Sequence, residues 1–120
     1  MRLKLFAGFA AAALLVLLWQ GLKPSEQNTG PELHRLNLNL ALINEQTPAV
    51  KLKLYESDII ELTLSSNYDA AVHVHGAEQH IEIEAGQTVT RRFNAEPSGR
   101  FAIEVHGSEL QLAILEIYPR

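Results

Sequence analysis

Residues 70–76 read Ala70-Ala71-Val72-His73-Val74-His75-Gly76, with Ala70, Val72 and Val74 in one phase and Ala71, His73 and His75 in the other. A period of two marks a strand with one buried face, because successive side chains leave a pleated backbone on opposite sides. The same period runs outward in both directions. Upstream, Ile60, Leu62 and Leu64 alternate with Glu61, Thr63 and Ser65, and Val50, Leu52 and Leu54 with Lys51, Lys53 and Tyr55. Further upstream, Leu36, Leu38, Leu40 and Leu42 alternate with Asn37, Asn39 and Ala41. Downstream, Ile81 and Ile83 sit between His80, Glu82 and Glu84, and Phe101, Ile103 and Val105 alternate with Ala102, Glu104 and His106. Val89 and Phe93 fit one more strand, although Arg91 falls in its inward phase. The last run, Leu110 to Tyr118, is apolar in both phases, which predicts a bulge or a strand buried on both sides.

Turn-forming clusters separate these runs: Asn44 to Pro48, Glu56-Ser57-Asp58, Ser65-Ser66-Asn67, Ala85-Gly86-Gln87 and Glu96-Pro97-Ser98-Gly99. Asp58 and Asp69 fall in turns, where a short carboxylate accepts from nearby backbone amides. Seven or eight short strands with this spacing predict an all-β fold, an antiparallel Greek-key β-sandwich over residues 34–120. No stretch of that body carries a 3.6-residue apolar stripe.

Ahead of the body lies a different composition. Arg2 and Lys4 precede an uncharged, largely apolar run from Leu5 to Leu22. That order is the pattern of a secretory signal peptide or a signal anchor, and residues 1–23 are assigned to it. No small-x-small cleavage site follows Trp19, which favours an uncleaved transmembrane anchor with the body exported to the periplasm or another extracytoplasmic space. Residues 24–33 hold two prolines, a glycine and small polar side chains, and read as a tether.

The chain of 120 residues has a formal net charge of −4. All 14 acids follow Pro24 with only 7 of the 10 basic residues, so the body is net −7, and a nucleic-acid partner is not expected. No cysteine is present, and Met1 is the only methionine. Disulfides, thiolate nucleophiles, iron–sulfur clusters and thiolate-bound copper are therefore excluded. No Ser–His–Asp spacing, nucleophile elbow or phosphate-cradling glycine loop is found, so an enzyme is not expected. Glu82 and Glu84 read as a solvated strand face.

The histidines are the remaining chemistry. His73, His75, His80 and His106 all occupy outward phases, and His73 and His75 share one face, ~7 Å apart along the strand. If their strand ends meet at one pole, His73, His75 and His106 become the ligands of a divalent metal, Cu(II) first, with His80 available as a fourth. His34, at the tether junction, is read as incidental.

From Val50 to Pro119 the order of features resembles the cupredoxin family, and small exported bacterial cupredoxin-like domains in particular. The features are the Val50–Leu54 strand, Glu56-Ser57-Asp58 before Ile59–Leu64, Ala71 to Gly76, Ala85-Gly86-Gln87-Thr88-Val89, Gly99 to Val105, and Leu112 to Tyr118. A similar order occurs in the copper domain of cytochrome oxidase subunit two, whose first copper histidine matches His73. The resemblance implies a copper-binding sandwich. It stops at Val105-His106-Gly107-Ser108-Glu109-Leu110, where electron-carrying relatives place a cysteine and usually a methionine. Copper electron transfer is thus excluded by the residues. The expectation is a membrane-tethered binding domain that takes Cu(II) or another divalent ion through histidines. The alternative is a metal-free scaffold for an envelope protein partner.

Overall fold

The computed structural model describes residues 2–23, 30–108 and 110–120. A helix, α1 (Arg2–Leu22), precedes eight strands: β1 (Leu33–Asn39), β2 (Val50–Tyr55), β3 (Ile59–Ser65), β4 (Ala70–Val74), β5 (Gln79–Ile83), β6 (Thr88–Asn94), β7 (Gly99–Val105) and β8 (Gln111–Tyr118). They form two sheets, ordered β1-β3-β6 and β2-β8-β7-β4-β5. The sandwich read from the alternation is therefore the observed one. Residues 24–29 of the expected tether lie outside the described residues, and β1 begins at Leu33, one residue earlier than the alternation placed the body.

Antiparallel pairing does not hold throughout. β1 pairs with β3, and β2 with β8, in parallel. The cause is the path of the chain, which reverses at every connection, so that odd strands run one way and even strands the other. Pairs of unlike parity, such as β3 with β6 and β7 with β8, are antiparallel; the two pairs of like parity cannot be. Sequence alternation reports which face a side chain takes and carries nothing about which strand lies beside it.

The inward phases meet between the sheets. Leu54, Ile60, Leu62, Leu64, Val72, Val74, Ile81, Ile103 and Leu115 are fully buried there. Each such side chain contributes about 1.5–3 kcal/mol relative to exposure. Leu42 departs from its expected inward phase. The chain leaves β1 in a 3-10 turn over Leu40–Leu42, where the Asn39 side chain accepts from the Ala41 amide at 3.1 Å. Leu40 stays in the core and Leu42 turns to solvent. Arg91 is likewise exposed, because β6 is the edge of its sheet. β8 is both of the things its double apolar phase predicted. It is buried on both sides from Leu112 to Leu115, and its register with β7 slips between Ile103 and Glu104.

Phe101 is held by glycines. A Cβ on Gly76 (φ +82°) would stand 2.6 Å from the Phe101 ring, and one on Gly99 (φ +142°) 2.9 Å from it. Both positions need a backbone that L side chains rarely adopt, and both need the space.

Candidate functional site

β4 and β5 pair so that His73 lies opposite His80, while β7 places Glu104 opposite His73 on the other side. His106 follows β7, and its amide donates to the Ala71 carbonyl at 2.7 Å, which fixes that end of the strand against β4. All four predicted histidines therefore share the outer face of the five-stranded sheet. They form a row: ring centroids are 4.2 Å apart for His73–His75, 6.2 Å for His73–His80 and 5.7 Å for His80–His106. His73 and His75 are partly covered, and His80 and His106 are exposed.

The row has carboxylates beside it. His75 Nε2 lies 2.6 Å from Glu104 Oε1, and His73 Nε2 lies 3.8 Å from Glu78 Oε2. No Lys or Arg occurs between Lys53 and Arg91, so the β4–β5 hairpin offers no cation to oppose a positively charged ligand. A cleft beside His106 is lined by Asp69, Glu82, Glu84 and Gln87 together with Ala70 and Ala71. Asp69 Oδ1 accepts from the Ala85 amide at 2.8 Å, a partner sixteen residues away rather than in its own turn.

A copper held through thiolate does not fit this face, since the chain supplies neither cysteine nor an internal methionine. The donor chemistry of an all-imidazole site is present. With metal–nitrogen bonds of about 2 Å, imidazoles on one ion have centroids roughly 4–6 Å apart, close to the separations in the row. In the conformation described, however, no three His, Asp or Glu side chains among the described residues are gathered so as to hold a metal ion. The row lies across the sheet face instead of closing at one pole as the strand-end reading expected.

Sequence reasoning missed two residues. Glu104 was readable, since it stands two positions before His106 and so shares its face. His34 was not. Far from incidental, its Nε2 lies 3.1 Å from Oδ2 of the buried Asp58. That carboxylate also accepts from the amides of Tyr55 (2.9 Å) and Glu32 (3.0 Å) and pairs with the Arg120 guanidinium. Burial pushes the Asp58 pKa up. The amides of Glu32 and Tyr55, the His34 ring and Arg120 together outweigh it and hold the carboxyl below its ordinary value of 3.8.

No protein-family model matches the chain, and no curated protein matches it. Solved structures do. A blue copper oxidase from Nitrosomonas europaea is 16% identical, with a TM-score of 0.57 over 74% of this chain and 39% of that one. A copper-containing nitrite reductase from Thermus scotoductus is 16% identical, with a TM-score of 0.57 over 76% of this chain and 28% of that one. A chain of a heme-copper terminal oxidase dimer is 15% identical, with a TM-score of 0.55 over 98% of this chain and 95% of that one. The protein thus has a cupredoxin-like fold. It spans about two fifths of the blue copper oxidase and nearly the whole of the terminal oxidase chain.

Proposed function

We propose that the protein is a membrane-attached, extracytoplasmic cupredoxin-like domain that captures Cu(II) or a similar divalent ion on its histidine face and carries no electrons. The observation that carries this reading is the row of four imidazoles on one sheet face, with centroids 4.2–6.2 Å apart and with the Glu104 and Glu78 carboxylates beside it. The ligands in this reading are His73, His75 and His106, with His80 as a fourth. A bound divalent ion would supply a fixed positive charge there; the protein's part is to hold neutral imidazoles in reach of one another. Cu(II) titrated into the protein is expected to bind stoichiometrically, with His73→Ala lowering affinity at least tenfold, on the order of 1.4 kcal/mol. An unchanged isotherm in that variant removes the reading.

Attachment rests on α1. Among the described residues no helix is long and apolar enough to cross a membrane. Yet Leu14, Leu15, Val16, Leu17 and Leu18 are all exposed, on every side of the helix, and Lys23 Nζ lies 4.2 Å over the Trp19 ring near its end. Such an aromatic and basic pair suits a lipid headgroup region. Protease added to intact spheroplasts is expected to degrade residues 34–120, and their protection would contradict export.

A second reading has its own support. The chain in the heme-copper terminal oxidase dimer is matched over 98% of this chain, which favours a domain docked in a membrane-enzyme assembly, and a metal-free scaffold of that kind is the alternative. It predicts that histidine substitutions leave capture of that partner unchanged.

A further inference from the structure

The four histidines differ in what holds them, and the difference falls on one carboxylate. Glu104 Oε1 stands 2.6 Å from His75 Nε2, while Glu104 itself is in register with His73 across β4 and β7. An ionised carboxylate only accepts hydrogen bonds, so the proton of this contact belongs to Nε2. In a neutral imidazole that leaves the lone pair on Nδ1. We infer that Glu104 is a positioning residue: it holds His75 in the Nε2–H form, its ring tilted against that of His73 with centroids 4.2 Å apart, so that His75 offers Nδ1 as its ligand atom. Metal-binding histidines are oriented in this way when the second ring nitrogen donates to a carboxylate. The ligand half of this inference rests on the metal reading above; the tautomer half does not.

The geometry sets His75 apart from its neighbours. Among the described residues, the nearest carboxylate to His73 Nε2 is at 3.8 Å, beyond hydrogen-bond range, on the exposed side chain of Glu78. Glu104 is only 30% exposed and reaches His75 from an interior strand of the sheet, so its carboxylate is anchored on both sides by the ladder.

The test uses the full-length chain in detergent micelles, metal-free, labelled with nitrogen-15, at about pH 8.5 where imidazoles are neutral. Two-bond proton–nitrogen correlations report the tautomer of each histidine, and His75→Gln assigns the signal. The Nε2–H form of His75 is expected in the wild type and in Glu104→Gln, whose amide oxygen accepts the same bond. Glu104→Ala is expected to give a mixture of tautomers. An Nδ1–H form in the wild type, or one tautomer common to all three proteins, overturns the inference and leaves the metal reading standing. Cu(II) is then titrated into the same samples. Glu104→Ala should lower affinity 10- to 100-fold, with one fewer imidazole in the nitrogen hyperfine pattern, and Glu104→Gln should restore most of it. Equal affinity in all three overturns the ligand half. Absence of copper binding from every protein removes the metal reading and that half with it.

Discussion

Asp58 and the histidine row are both polar clusters built across several strands, and they are built in opposite ways. Asp58 is 1% exposed and meets partners on every side: two amides, an imidazole and a guanidinium. Two of its partner groups come from remote parts of the chain, since Glu32 and His34 lie at the start of β1 and Arg120 follows β8, while Tyr55 at the end of β2 is a local partner. The histidines lie on an open face with hydrogen-bonding capacity left over. Among the described residues, His80 and His106 make ring contacts without a side-chain hydrogen bond of the kind that fixes His75. A buried charge must be fully satisfied or it destabilises the fold. A group meant to receive something must keep a lone pair in reserve. The Asp58 pole is thus built for stability, and the histidine face is the one the proposed function uses.

Substitutions sharpen that division. Asp58→Ala should have the largest effect, about 3 kcal/mol of unfolding free energy, because it removes at once the buried acceptor of two amides and the carboxylate facing His34 and Arg120. Chemical denaturation of the two proteins measures it, and a loss under 1 kcal/mol would break the contrast. The pH dependence has a fixed sign. Because the folded-state pKa of Asp58 is depressed, its contribution is fully present above the unfolded value near 3.8 and is lost as pH falls through the lower folded value. The gap between wild type and Asp58→Ala should thus stay constant above pH 3.8 and close only below it.

Gly76→Ala tests the hairpin that carries His73 and His75. It combines a positive φ with a Cβ 2.6 Å from Phe101 and should destabilise by about 1–3 kcal/mol. If the histidine face depends on that turn, the ring-proton signals of His75 and His80 should move with it; a Tm equal to that of the wild type would show that the ring gives way freely. His34→Ala should lower stability by about 1 kcal/mol, since it removes one of several partners of a charged group and the ring is itself partly exposed. Copper affinity should not change in this variant; if it does, the two regions are not separate. Glu61→Gln should have the smallest effect. The Arg92 side chain, with Arg35 opposite, holds the Glu61 carboxyl below its ordinary pKa, but the cluster is open to solvent and screened by salt. Thermal melts at low and high ionic strength should overlay for wild type and variant.

Legibility in the sequence followed the range of the interactions. The strands were readable because pleat and burial act on neighbours two residues apart, as in Ala70–Val74 and Ile59–Ser65. The parallel pairs were not, since nothing in Leu33–Asn39 says that β3 lies beside it with β2 in the other sheet. The same limit applied to Asp58. Its turn position and its bond to Tyr55 are local, whereas Glu32, His34 and Arg120 are 26, 24 and 62 residues away. The histidines were legible as a common face through their shared phase, and their order along it depended on β4 lying between β5 and β7.

Glu32 and Arg120 reach the same oxygen of Asp58, so the first strand begins where the last one ends. The sandwich is in effect a closed circuit with its seam at one carboxylate. A short linker from the end of β8 to the start of β1 would let new termini be opened in the exposed Asn44–Pro48 connection, and the permuted domain should keep its core while joining α1 by the opposite end.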